Sequence, residues 1–386
     1  MTPSTVLFCG LPAFGHLYPM IPLALAARAA GHRVVFATGA PFVGRLRAIG
    51  FETEQVGISV QDGVTAQFGG RPAPRRPDGR PDEESGAALF LDVLARPMAT
   101  DVLPLLDRHR PDLVVYEETA IGGRVAAAVR DVPAISHRIV AAASTQVAGS
   151  PAGREMIARL FRHVGAAPGG ISGDGVLDVF PNSLGSGAAA THPITIPVRP
   201  VPWSEPGGSI PEWLAGARRP VAYLTLGTVF AEPGTFRAAI EAVASLDVEV
   251  LVALGPVDPA DVGPVPSTVH LERFVDQPAV LPSVDVVVHH GGSGTMLGAA
   301  AYGRPELVLP LGADQFYNGE TVTAAGVGLM LQPAHVGAGE MAGAVHRLLT
   351  ESSFRAAAAT VRREIAAMPH PREVLPTVLD VVSRAA

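Results

Sequence analysis

Three groups of side chains in this 386-residue chain have types and spacings that could do chemistry. The first is Val286-Val287-Val288-His289-His290-Gly291-Gly292-Ser293-Gly294-Thr295, followed by an Ala-rich segment. A buried β-branched run that passes through glycines into a helix leaves the first helical N–H groups without partners. Those groups sit at the positive helix end, which suits a diphosphate. His290 and the hydroxyls of Ser293 and Thr295 can add donors there. The glycines also suit a plain tight turn, and the spacing is not the Gly-x-Gly-x-x-Gly dinucleotide fingerprint. The second group is Asp314-Gln315, where a carboxylate and an amide side by side can read adjacent hydroxyls of a sugar; an Asx-type turn is the plain reading of the same pair. The third is Gly15-His16-Leu17-Tyr18-Pro19, with His16 between a strand and a helix. A lone His is often structural, but a neutral imidazole there can act as a general base, because a helix N-terminus disfavours its protonated form. Glu117 and Glu118, which close the run Leu113–Tyr116, offer a carboxylate to orient the ring and leave its other nitrogen to take a proton.

These groups need elements to hold them, and the chain alternates strand-like and helix-like patterns that supply them. Val6–Cys9 reads as a strand, Pro19–Ala30 as a helix with Pro in its first turn and Gly31 as its stop, and Arg33–Ala37 as a strand. Phe42–Ile49 reads as a helix, Leu113–Tyr116 as a strand, Gly122–Val129 as a helix and Ala134–Ser136 as a strand. The pattern restarts at Val221–Leu226 and continues through helix Thr235–Ser245, strands Val248–Ala253, Thr268–Leu271 and Val284–His289, helix Gly294–Tyr302 and strand Glu306–Leu309. Strands separated by helices of this length predict α/β units with parallel sheets and functional loops at the strand C-terminal ends. Val64–Glu84 is rich in Pro, Gly and Arg without periodicity and reads as a long loop, either a solvated excursion or a cover. Six prolines between Thr191 and Pro211 read as an interdomain linker. The expected organisation is a first domain over 1–200, a linker over 201–217, a second domain over 218–370 and a terminal helix within 371–386.

Composition excludes several classes. With 48% hydrophobic and 17% charged residues the chain is no disordered segment. All 29 basic residues are Arg, which removes Schiff-base lysine chemistry, lysine-anchored pyridoxal phosphate and the phosphate-loop NTPase motif. A single cysteine, Cys9, removes a disulfide framework and multi-cysteine metal sites; it reads as a small buried core residue, and His289 as packing under the sheet. The net charge of −7 disfavours nucleic acid as a partner, and all of it falls in residues 211–386. An anion bound in that half must therefore use local N–H donors rather than bulk charge. Residues 6–27 are uncharged, but no Lys or Arg precedes them and Gly and Pro interrupt them, so neither a signal peptide nor a membrane span is expected and the protein reads as cytoplasmic.

Together these residues resemble the inverting, nucleotide-sugar-dependent glycosyltransferases of the GT-B fold, family 1, and within it the bacterial enzymes that decorate antibiotics such as enediynes, macrolides and aromatic polyketides. The resemblance spans essentially the whole chain. It rests on Gly15–Pro19, on Leu224-Thr225-Leu226-Gly227-Thr228, on Phe274–Leu281 and, most specifically, on His289–Asn318. It implies two facing Rossmann-like domains with a central cleft, the first for the acceptor and the second for the nucleotide sugar, and a terminal helix that crosses back to the first. His16 matches the base that activates the acceptor. Glu117 stands where the family commonly has Asp, one methylene shorter, and Glu118 is a rival. His290, Gly292, Ser293, Gly294 and Thr295 match the diphosphate cradle, with Gly227 and Thr228 facing it; Phe274 and Val275 match the segment against the base, and Asp314 and Gln315 the pair on the donor sugar. Eight residues after His290, relatives that use ribonucleotide donors often have a Glu for the ribose hydroxyls, and here stands Gly298; a TDP-sugar is therefore expected over a UDP-sugar. No resident cofactor and no metal are expected, since no Asp-x-Asp occurs. The acceptor is expected to be an apolar small molecule, served by Ile139–Val147 and Pro151–Phe161, and the chain a monomer or homodimer. A nucleotide-sugar epimerase, a non-catalytic auxiliary protein and carbon-linked glycosylation are the alternatives.

Overall fold

The computed structural model describes residues 3–71, 73–141, 148–185, 192–206, 210–228, 233–332 and 337–385. Among them the chain forms two compact units. One holds residues 3–179, 192–199 and 369–385, and the other 180–185 and 200–368.

The first unit is built on seven parallel strands: β1 Thr5–Cys9, β2 Arg33–Thr38, β3 Glu52–Gln55, β4 Leu113–Glu117, β5 Ala134–His137, β6 Gly175–Asp178 and β7 Thr195–Pro197, in the order β3-β2-β1-β4-β5-β6-β7. The central strands are apolar on both faces, as expected where helices cover both sides of a parallel sheet. On one face Leu7, Cys9, Val35, Ala37, Val114 and Tyr116 pack with Met98, Val102 and Leu105 of helix Ala95–His109 and Ala126 of helix Ile121–Val129. On the other, Phe8 stacks on Phe36 at 5.1 Å and Phe36 meets Phe51 at 4.9 Å. Each buried aromatic contributes about 1.5–3 kcal/mol.

The second unit has six parallel strands: β8 Val221–Thr225, β9 Glu249–Ala253, β10 Val269–Glu272, β11 Val286–His289, β12 Glu306–Val308 and β13 Gly328–Met330, in the order β10-β9-β8-β11-β12-β13. Val286, Val287 and Val288 are fully buried at its centre. Each sheet reverses its strand order once, between β1 and β4 and between β8 and β11. Open α/β sheets bind ligands outside the strand C-terminal ends at such a reversal. His16 and Glu117 follow β1 and end β4; Gly227 and His290 follow β8 and β11.

Three expectations are corrected. The run Val64–Glu84 is not one loop. It begins inside helix Val60–Phe68, capped by Ser59, whose hydroxyl accepts the Asp62 N–H at 3.0 Å, and ends in helix Glu83–Ala88, capped by Asp82. The span 201–217 is no free linker, because Glu212–Gly216 forms a 3-10 turn that buries Leu214 against Val221, Tyr223 and Leu251. Phe180–Gly185 clusters with the second unit, where the Ser183 N–H donates to Glu364 Oε1 at 3.2 Å.

The terminal helix Pro371–Ala385 is part of the first unit. It packs on helix Ile21–Ala29 and β7, and the Arg199 N–H donates to the Pro369 carbonyl at 2.8 Å. Residues 142–147 of the expected acceptor stretch lie outside the described residues, as do 191 and 207–209 of the proline-rich run. Among the described residues no helix is long and apolar enough to cross a membrane.

Candidate active site

The first unit gathers a histidine and a buried carboxylate. β1 ends at Cys9, and after a short loop the chain becomes helical at Phe14 and stays so, through a 3-10 turn at Tyr18–Met20, to Ala29. His16 thus lies in the opening turn of a continuous helical run, half-buried. Its Nδ1 is 3.0 Å from Oε1 of the fully buried Glu117 at the end of β4. Glu118 takes no part: its Oε1 accepts the N–H groups of Ile139 and Val140, each at 2.6 Å. Successive strand side chains point to opposite faces of the sheet, and of the two carboxylates it is Glu117 that reaches His16. Phe90, on a single π-helical turn at Leu89–Val93, lies near-parallel to the His16 ring with centroids 6.4 Å apart.

Two other ionisable groups beside Glu117, Cys9 and His137, are neutral. Cys9 is buried, and burial first and the Glu117 charge second push its thiol up to about 12. His137 stands beside Glu117 on β5, and burial drives its pKa down to about 4, so it stays neutral and donates from Nδ1 to the Arg138 carbonyl at 3.0 Å. The sequence reading passed over Thr119, whose N–H lies 2.8 Å from Glu117 Oε2 and whose hydroxyl lies 2.8 Å from both carboxylate oxygens and 3.2 Å from His16 Nδ1. It also passed over the buried pair Arg138–Asp178 at 2.7 Å, which ties down the carbonyls of Val140 and Ala141.

The second unit gathers an anion cradle. β11 ends at His289, Gly291 takes φ +93, and Gly292 opens helix Ser293–Ala301 with no side-chain cap. That leaves its first N–H groups to an external acceptor. The His290 ring lies against two glycines: a Cβ at Gly227, itself at φ +79, or at Gly292 would fall 2.6 or 2.7 Å from Nε2. Burial, reinforced by His289 and weakly opposed by the Thr225 backbone, pushes the His290 pKa down to about 3. His290 is therefore a neutral N–H donor at physiological pH rather than a cation. Thr228 follows Gly227 after β8, and the Thr295 hydroxyl accepts from Gln277 Nε2 at 3.2 Å, which leaves its own proton to give.

Beneath the turn His289 packs under the sheet, as expected, and does so in a pair. His289 Nε2 is 2.8 Å from Glu306 Oε2, both fully buried, and His289 Nδ1 accepts the Gly291 N–H at 3.1 Å. Burial lowers His289 to about 3 and raises Glu306 well above the usual carboxylate range, which makes this a neutral pair. The Gly291 carbonyl accepts from the buried Asn318 at 2.7 Å, so both sides of this left-handed residue are pinned. No local pattern announces such pairs; only the pairing of β11 with β12 does.

The expected sugar-reading pair is used differently from the simple picture. Asp314 Oδ2 accepts from the Ser293 hydroxyl at 3.1 Å and from Asn318 at 2.9 Å, and so joins the loop after β12 to the start of helix Ser293–Ala301. Gln315 is buried, and its Oε1 accepts the N–H groups of Leu311 and Gly312 at 2.7 and 2.9 Å, so only its NH2 end remains to donate. Ala313, just before them, sits at φ +50, a conformation that costs a non-glycine residue about 1–3 kcal/mol and clusters at ligand sites. Phe274, beyond the end of β10, is exposed and able to stack, while the Val275 side chain packs into the core and can offer a base only its backbone.

The chain is 32% identical to L-demethylnoviosyl transferase of Streptomyces niveus, covering 96% of both chains. It belongs to the antibiotic glycosyltransferases. The TDP-daunosamine transferase DnrS of Streptomyces peucetius is 31% identical to this glycosyltransferase over 96% of it and 95% of that protein. Residues 237–381 match the family model for the C-terminal domain of erythromycin biosynthesis protein CIII-like enzymes. Spinosyn rhamnosyltransferase SpnG complexed with thymidine diphosphate superposes with a TM-score of 0.81 at 27% identity, covering 97% of this chain and 99% of that one. The two parallel-sheet units are those of the GT-B fold.

Proposed function

We propose that this glycosyltransferase moves a deoxysugar from a TDP-linked donor to a hydroxyl of an apolar natural-product aglycone, with inversion at the anomeric carbon. The observation that carries the reading is the 3.0 Å contact between His16 Nδ1 and the buried Glu117 carboxylate. Nε2 of His16 removes the acceptor hydroxyl proton, and the oxygen attacks the anomeric carbon from the side opposite the diphosphate. The carbon–oxygen bond to the diphosphate breaks as the new one forms, and TDP leaves with the electron pair. Glu117 stabilises the imidazolium. The N–H groups at the start of helix Ser293–Ala301 and the neutral His290 meet the charge that grows on the leaving group, since donors fixed in place cost no reorganisation. Asp314 and the NH2 of Gln315 hold the sugar, and Phe274 stacks on the base.

Preference for TDP has a packing argument. A Cβ at Gly298 would lie 3.2 Å from Leu281 Cδ1, so a longer side chain there would have to displace Leu281 slightly, and Gly298 itself offers no carboxylate to ribose hydroxyls. A deoxyribose asks for none. The names of DnrS and of the SpnG complex, both with TDP, support the same donor.

The test is His16→Ala. Its kcat should fall about 10²–10⁴-fold with the donor KM nearly unchanged, because general bases contribute about that much. Unchanged turnover would remove the base assignment. Paired kinetics with TDP- and UDP-linked donors test the nucleotide, and a clear UDP preference would sink it; the anomeric configuration of the product tests inversion.

A further inference from the structure

An imidazole works as a base at Nε2 only while Nδ1 holds the proton, and here a glutamate has to keep it there. Its side chain has one more rotatable bond than an aspartate, so more freedom must be removed before Oε1 faces Nδ1. Two backbone N–H groups help, Leu11 to Oε1 at 3.3 Å and Thr119 to Oε2 at 2.8 Å. The Thr119 hydroxyl closes the clamp, 2.8 Å from each oxygen. A hydroxyl has one proton and an ionised carboxylate has none, so the Thr119 proton goes to Glu117. The lone pairs of Thr119 Oγ1 then face His16 Nδ1 at 3.2 Å. Nδ1 meets two acceptors, Glu117 Oε1 and Thr119 Oγ1, and its proton is held between them.

We propose that Thr119 is a positioning residue that lets a glutamate serve in this dyad: it clamps both oxygens of Glu117 and gives Nδ1 a second acceptor, which fixes the His16 tautomer with Nε2 as the base. The inference rests on the reading of His16 as the base, and it concerns the state of the ring before any substrate reacts.

The experiment compares Thr119→Val, nearly the same shape without the hydroxyl, with Thr119→Ser, which keeps it. Imidazole ¹⁵N spectra are recorded at about pH 8, where an unperturbed His is neutral, and the His16 signal is identified by its loss in His16→Ala. The wild type and Thr119→Ser should show the Nδ1–H form, and Thr119→Val should gain the Nε2–H form. The Val variant should lose about tenfold in kcat with the donor KM within about twofold, and Ser should recover most of it, since a hydrogen bond to a charged group is worth about that factor. A Val variant with the wild-type tautomer, or a Ser variant as impaired as Val, would overturn the proposal. Should Thr119→Val fail to fold, Thr119→Ala carries the same comparison. If His16→Ala leaves turnover intact, the base reading fails, and the ring spectra still decide the role of Thr119.

Discussion

The two units place a histidine at the same topological position and give it opposite chemistry. Both rings sit just beyond a central strand where the strand order reverses, at the entrance to a helix. His16 meets a buried carboxylate held by N–H and O–H donors, so a proton taken up by the ring has a partner. His290 is buried against two glycines at a helix N-terminus, and burial first and His289 second oppose a positive ring. Topology supplies the place, and the nearest few charges supply the role.

Glu117→Gln should blur that contrast most. It keeps the shape but removes the charge that supports the imidazolium, and kcat should fall at least about 10²-fold with the donor KM unchanged. A fall confined to KM would place Glu117 with donor binding instead. On the other side, Gly292→Ala puts a Cβ against the His290 ring, and overpacking of this kind costs about 1–3 kcal/mol. TDP binding by calorimetry should weaken roughly tenfold; unchanged affinity would mean that the turn yields freely.

The neutral histidines make a prediction about acid. His137, His289 and His290 titrate lower in the folded chain than the ordinary 6.5, so the unfolded chain binds more protons below that value. Stability is then full above about pH 6.5 and declines as pH falls toward about 4, by up to about 1.4 kcal/mol per pH unit for each ring. Glu306 is raised instead and loses stability as pH rises, so it works against the three. Denaturant unfolding at pH 6.5 and 5 should show lower stability at the lower pH, and a rise would contradict neutral rings. The smallest effect belongs to Glu118→Gln. The amide still accepts from Ile139 and Val140, and kcat should change by less than about threefold, since it is Glu117 and not Glu118 that contacts His16.

Much of this was legible in the sequence because it is local. The turn His289–Thr295 and the strand before it announce themselves through glycines and β-branched residues within ten positions. The choice between Glu117 and Glu118 was not legible, because it depends on which side of the sheet the last residue of β4 points to. Nor was the His289–Glu306 pair, seventeen residues apart and joined only by strand pairing. The helix Val60–Phe68 was hidden differently: Ser59-Val60-Gln61-Asp62 is a capping signature, but a Gly inside the helix and the Pro-rich stretch after it masked the period. Thr119 escaped because a threonine after a strand carries no signal until its neighbours are known.

The terminal helix has a practical meaning for anyone exchanging halves between such enzymes. The first unit closes with residues 369–385, which return to it after the long stretch 200–368 of the second. A graft that replaces everything after residue 200 would import a foreign helix against Ile21–Ala29. Its apolar face, Val374, Leu375, Val378, Leu379 and Val381, was selected to fit that surface. A donor-swapping chimera therefore has to carry residues 180–185 together with 200–368, and the native tail has to stay with the half that carries His16.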